Sequence, residues 1–357
     1  MKYLISFIII LFTIGCNTTD KISDVTYFGG QIINPKTNFV LFLKDDVVID
    51  TISLDEENKF LQEYNSLNEG LYTFKHGSEF QYVFFEPQDS ILVRLNTWDF
   101  DESLVFSGKG SSKNEFLINL FLQNEKEEKD VSYNQYFDLD EGKFGMKLDS
   151  LANAREFIFN EFEKNEDNLS DGFKELTEVA IHYPLYRLKE IYPYYYKNIL
   201  KLESFPELSN QFYAYRNSID LNNKDLISFY PYQNYVINYL YNKGYELKEK
   251  DSTKNNMTVN ILNSIVKNVE LEEFKNILLK RIVVNDFLKS ESSCSINEKV
   301  HSLFLENCTN EDFKTQVNNL VNDSKVVENL MPLPNFELET YSNSNKEINS
   351  IIKDRNT

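Results

Sequence analysis

The chain has 357 residues, 41% of them hydrophobic and 14% aromatic, and a formal charge of −19. That apolar content is ample for packed cores in two or three domains of ~100–200 residues each, and it excludes wholesale disorder. The acidic charge is spread along the chain and no basic run occurs, which argues against nucleic acid and against an anionic membrane face as partners, since both need clustered Lys and Arg.

The chain opens with "MKYLISFIIILFTIGC". Lys2 is followed by an apolar run from Leu4 to Phe12. The run is shorter than the ~20 residues that span a bilayer, and it suits the apolar region of an export signal. It ends in Thr13-Ile14-Gly15-Cys16, which resembles a bacterial lipoprotein box. In such a box a small residue precedes a cysteine that is acylated and becomes the mature N-terminus. Thr13 stands where that box usually carries Leu. The sequence thus predicts a signal and lipidation site over 1–16, with Cys16 acylated, and a polar tether over 17–24. The plainer alternative is a secretion signal with an incidental cysteine. Acyl chains anchor at ~0.8 kcal/mol per buried methylene, so the bilayer is the expected partner of Cys16. The rest of the chain is expected in an envelope compartment outside the inner membrane.

From Val25 to Phe106 short β-branched and aromatic stretches alternate with turn signals. "TYFGGQIIN", "FVLFLKDD", "VVIDTISLD", "LYTFKH", "QYVFFEP" and "SILVRLN" read as strands. Their spacing of about ten residues predicts an antiparallel β-sandwich or partial barrel over 25–110. "FDESLVFSGKGSSKNEF" adds a strand broken by Gly108 and Gly110. Ser112, with Glu115 three residues on, forms a capping signal for a helix. The charge run Glu125–Asp130 reads as a solvated helix tail or a linker, giving a helix-and-linker segment over 111–136.

Residues 137–330 then take helical periodicity and are expected to form an all-helical domain. Leu148, Leu151, Ala152, Phe159 and Phe162 share one stripe. "DGFKELTEVAIHYPLYRLKEIYP" predicts a second helix, with Pro184 a kink point. Further helices are expected at about 208–217, 225–242, 257–267, 271–289, 296–307 and 310–323, the last behind a Thr309-to-Asp312 capping signal. The whole is an α+β chain.

Few residues suggest chemistry. A helix between Cys294 and Cys308 would hold their Cα atoms about 20 Å apart, beyond the ~7 Å limit of a disulfide, so no bridge is expected. Their spacing also rules out Cys-x-x-Cys. His76, His182 and His301 are scattered without zinc spacing, so no metal site is expected. Asp99, Asp101 and Glu102 lack the spacing of a calcium loop and read as a solvated turn. Phe229, Tyr232, Val236, Tyr239 and Leu240 follow helical spacing, so this aromatic-rich stretch reads chiefly as packing. His182 reads as a packed, hydrogen-bonded side chain. No catalytic residue and no cofactor fingerprint emerges.

The chain closes on "LPNFELETYSNSNKEINSI" and a short tail. Together with "EGLYTF", "FFEPQDSILVRLNT" and "FDESLVFSGKGSSKNEFL", this layout resembles the TlpA-like thioredoxin-family lipoproteins of Bacteroidetes. In that pattern a lipoprotein signal leads to a small β domain, a helical middle and a thioredoxin fold introduced by Pro-x-Phe-x-Leu. Leu333, Pro334, Phe336 and Leu338 occupy those places here, which makes 331–357 a thioredoxin lead-in. The resemblance implies thiol:disulfide oxidoreductase chemistry, but the Cys-x-x-Cys that such chemistry needs is absent. The expected function is the non-catalytic anchoring and recognition part of such a protein, on a periplasm-facing outer-membrane lipoprotein, with an envelope protein as partner. The alternative is a free-standing glycan- or peptide-binding envelope lipoprotein. The tail from about Tyr341 onward, lacking a sheet to join, is expected to be loose.

Overall fold

The computed structural model describes residues 25–134, 136–166, 168–250, 256–289, 297–328, 336–339, 345–348 and 350. Cys16, the signal, the tether, Cys294 and most of the tail lie outside the described residues. The chain divides into two compact units, one of Met1–Lys126 with Asn168–Thr177, the other of Glu127–Asp167 with Glu178–Thr357.

The first unit is built on eight strands: β1 (Thr26–Ile33), β2 (Phe39–Lys44), β3 (Val47–Ser53), β4 (Lys59–Tyr64), β5 (Gly70–His76), β6 (Glu79–Phe85), β7 (Ser90–Asn96) and β8 (Val105–Lys109). They form two open sheets, ordered β4-β1-β7-β8 and β3-β2-β5-β6. Every pair is antiparallel except β1 with β7, which run parallel from Tyr27↔Ser90 to Ile33↔Asn96. The cause of the sheets is period-2 patterning. In β7, Ile91, Val93 and Leu95 are buried while Leu92 and Arg94 face out. Both sheets feed one cluster that includes Phe28, Phe42, Phe74, Phe85 and Val93. Phe28 stacks on Phe42 at 5.0 Å and meets Phe60 and Phe85 edge-on.

Eight helices follow: α1 (Ser111–Tyr133), α2 (Glu141–Asn165), α3 (Asp171–Leu200), α4 (Tyr230–Lys250), α5 (Met257–Asn268), α6 (Glu272–Lys289), α7 (Glu298–Asn307) and α8 (Glu311–Glu328). Several expectations need correction here. Of the two readings of Glu125–Asp130, the linker falls and the solvated helix tail holds: the run is the mostly exposed end of α1. Two of its acids are ion-paired, Glu127 with Arg155 and Glu128 with Arg187. Glu115 accepts from the Phe106 amide at 3.4 Å, so it ties α1 to β8. Residues 208–217 form no α-helix, only a 3-10 turn over Ala214–Ser218. Ser209 shapes this segment locally: its hydroxyl accepts from the Phe212 amide, and the Glu141 carboxylate accepts from its own amide. α8 is capped by Asn310, whose side chain accepts from the Phe313 amide at 2.9 Å. Thr309 instead accepts from Asn276 and donates to Glu272. α3 runs through both Pro184 and Pro193.

In the second unit Phe144, Leu148, Leu185, Leu188, Tyr192 and Phe212 form one apolar cluster. α4 and α5 meet where a Cβ on Gly244 would stand 2.9 Å from the Ile261 side chain, so glycine allows their close approach. Near the end, β9 (Glu337–Glu339) and β10 (Asn345–Glu347) pair as an antiparallel hairpin. The backbone at 345–347 therefore does find a strand partner, within the tail expected to be loose. Phe336 and Leu338 remain exposed.

Candidate functional site

The most chemically concentrated region of the helical unit centres on Glu190 of α3, whose residue is fully buried. Its carboxylate is met from several sides. Arg216, in the 3-10 turn, donates through Nε to Oε1 at 2.9 Å and through Nη2 to Oε2 at 2.5 Å. The Tyr215 hydroxyl donates to Oε1 at 2.7 Å. Asn242 of α4 donates to the carboxylate and, at 2.9 Å, to the Glu190 carbonyl. Tyr194 donates to the Asn242 side-chain oxygen. A buried charge needs such partners, because an unpaired one is severely destabilising.

The guanidinium is sandwiched as well as paired. It lies 3.6 Å from the Tyr213 ring centroid and 5.3 Å from that of Tyr239. Burial works to lower its pKa, but the Glu190 hydrogen bonds and charge outweigh this and hold it above its ordinary value. Burial raises the tyrosines: Tyr215, Tyr213 and Tyr194 all keep their protons well beyond neutral pH.

Beside this network is a cleft of about 160 Å³. Tyr194, Phe205 and Tyr245 line it and pack against one another at 4.8–5.2 Å between ring centroids. Pro193, Pro206 and Leu208 add apolar surface, and Arg216, Asn242 and Glu246 add polar groups. Arg216 Nη1 is 3.9 Å from a Glu246 oxygen, while Lys243 holds both Glu246 oxygens at 2.9 and 3.0 Å. The arrangement can bind and orient; a hydroxyl or carbonyl could reach both Arg216 and the rings.

The residues singled out in the sequence sit elsewhere. Asp101 accepts from Gln81 at 3.0 Å, and burial raises its carboxyl; the Ser103 amide donates to the Asp99 carbonyl in a tight turn ahead of β8. His76 is buried, with Nε2 accepting from the Lys36 amide at 2.9 Å. His182 stands 3.1 Å from Glu178 and 3.4 Å from Glu156. His301 meets Asn318 at 2.8 Å. The three histidines are thus not brought together, and among the described residues no His, Cys, Asp and Glu group could hold a metal. Cys308 is buried without a disulfide. The aromatic stripe is split by burial: Phe229, Tyr232, Val236 and Leu240 are in the core, while Tyr239 is half-buried against Arg216.

Glu190, Arg216 and Asn242 went unremarked in the sequence because nothing in linear spacing joins them. The available signal was local: Tyr213 and Tyr215 come just before Arg216, and Glu190 falls between apolar Leu188 and Tyr192. No family model, curated protein or solved structure matches the chain.

Proposed function

We propose that this chain is the membrane-anchored, non-catalytic anchoring and recognition part of a TlpA-like envelope lipoprotein. In this proposal Cys16 carries the acyl chains, the two sheets make a β-sandwich, and 331–357 lead into a thioredoxin fold. One observation carries it: the order of parts. An export-type apolar run ending in Cys16 is followed by an antiparallel-rich β unit, eight helices, and a short strand at Glu337–Glu339 behind Pro334-x-Phe336. Reading the genomic DNA beyond codon 357 tests it. An in-frame or frameshifted thioredoxin-like segment is expected, and a stop with no such segment nearby would sink the family assignment.

A second reading, a free-standing envelope lipoprotein that binds glycan or peptide, is favoured by the cleft beside Arg216. Its half-buried rings and unspent polar groups are features of a small-ligand site rather than of plain helix packing. Both readings make the helical unit a recognition element, and they differ in whether a redox domain is attached to it.

A further inference from the structure

We propose that the cleft beside Arg216 binds one uncharged sugar ring of a glycan. This rests on reading the chain as a recognition module and names the class of ligand recognised. Size is the first argument. At about 160 Å³ the cleft is well below the ~300–1,000 Å³ of sites for drug-sized ligands, and matches a single ring.

The lining is the second. A pyranose has flat C–H faces and a rim of hydroxyls. Tyr194, Phe205 and Tyr245 offer rigid apolar surfaces for the former, at little cost in side-chain entropy. For the hydroxyls there is an unspent set of donors and acceptors. Arg216 commits Nε and Nη2 to Glu190, but among the described residues Nη1 makes no hydrogen bond, only the 3.9 Å approach to Glu246. Tyr213 and Tyr245 line the cleft, and neither hydroxyl makes a hydrogen bond among the described residues. Both Glu246 oxygens accept from Lys243, but the side chain is about half exposed and each oxygen has a lone pair left to accept with. Neighbouring sugar hydroxyls can accept from a guanidinium and donate to a carboxylate, which single-sign ligands cannot do.

Charge is the third argument. Arg216 is neutralised by Glu190, and Lys243 by Glu246. The lining still carries both signs: an anionic ligand would meet Glu246 and a cationic one Arg216, with Lys197 nearby at 4.7 Å from the Phe205 ring centroid. Burial keeps the Tyr194 and Tyr213 hydroxyls protonated, so the site gains no charge near neutral pH. An uncharged polyol meets neither repulsion.

The test uses the full chain in a detergent without a sugar headgroup. Saturation-transfer NMR and calorimetry are run with the methyl glycosides and trisaccharides of glucose, mannose, galactose and N-acetylglucosamine. Glucuronate, glucosamine and a Pro-rich tripeptide serve as comparators. Saturable binding of at least one neutral saccharide is expected, with its charged analogues weaker by about tenfold or more. Phe205→Ala and Glu246→Gln should each weaken that binding by about tenfold, with the thermal midpoint of Glu246→Gln unmoved. If Phe205→Ala fails to fold, Glu246→Gln decides. Absence of binding across the panel at millimolar concentration, or binding that Glu246→Gln leaves unchanged, overturns the proposal. Binding of the tripeptide alone overturns the ligand class and leaves the recognition reading standing. Cleavage of a saccharide would overturn the recognition reading itself.

Discussion

At the level of single residues, the helical unit depends on a carboxylate that has no access to water. Glu190 accepts from Tyr215, Arg216 and Asn242, and its removal would strand the guanidinium among tyrosines. Glu190→Ala should cost about 3–5 kcal/mol, the range for breaking a buried ion pair by deleting one partner. Adding Arg216→Met should recover part of that loss, since the double variant leaves no buried charge unpaired. Equal urea midpoints for wild type and Glu190→Ala would show that water reaches the site. In the β unit the corresponding residue is His76. Nε2 accepts from the Lys36 amide, so the ring proton sits on Nδ1 and faces the Phe39 carbonyl at 3.1 Å. Burial pushes the imidazole below its ordinary pKa of about 6.5. The unfolded state therefore protonates first. The stabilisation is complete above about pH 6.5 and is lost as pH falls through the lowered folded value. The protection factor of the Lys36 amide, its intrinsic exchange rate divided by the observed one, should fall between about pH 7 and pH 5, and His76→Gln should abolish that trend. A wild-type protection factor that stays constant over that range would refute it.

At the level of elements, the sequence was most informative where one period ran unbroken. β1, β2, β5, β6 and β7 fall where alternation and turn residues place them, and so do α5, α6 and α7. β4 was missed because "KFLQEY" sets its two inward rings, Phe60 and Tyr64, among polar residues, and its Leu61 faces out. It exists because β1 offers it a ladder from Thr26↔Tyr64 to Gln31↔Lys59, and tertiary pairing of that kind is absent from local pattern. The parallel pairing of β1 with β7 is equally invisible, since period-2 patterning does not encode strand direction. The failed helix at 208–217 is the converse. Its apolar spacing is helical, but Phe212 is fixed in the core and the Ser209–Glu141 contacts serve the backbone better. Gly108 gives a test at this scale. Its φ is +92°, and a Cβ there would stand 2.0 Å from the Ser90 carbonyl oxygen, inside the β7–β8 ladder. Gly108→Ala should destabilise the β unit by about 2–3 kcal/mol through backbone strain and a lost strand pairing. A thermal midpoint matching wild type would mean that β8 can shift without cost.

At the level of the whole molecule, the candidate site was the least legible part. Its charged pair joins α3 to a turn 26 residues on, and Asn242 adds a third segment 52 residues from Glu190. Only the fold assembles them. The proposed anchor is the opposite case, since everything that argues for it is local sequence. Several forces could hold such a chain at a membrane, and most are weak here. Among the described residues no helix is long and apolar enough to cross a bilayer. A formal charge of −19 with no basic run offers anionic lipid nothing to attract and adds repulsion. A run as short as Leu4–Phe12 does not span, and cleavage before Cys16 would remove it. Acylation at Cys16 would then be the dominant attachment. Stable anchoring takes more than one acyl chain, because a single myristoyl-type chain holds only marginally, with a partition constant of roughly 10⁴ M⁻¹. The parent protein should therefore remain with membranes through high-salt and carbonate washes, as acyl anchoring ignores ionic strength. Cys16→Ser should move to the soluble envelope fraction, or stay as an uncleaved precursor of higher mass that the same gel would reveal. If mature-sized Cys16→Ser sediments with membranes as the parent does, acylation at this residue is not what holds the protein there.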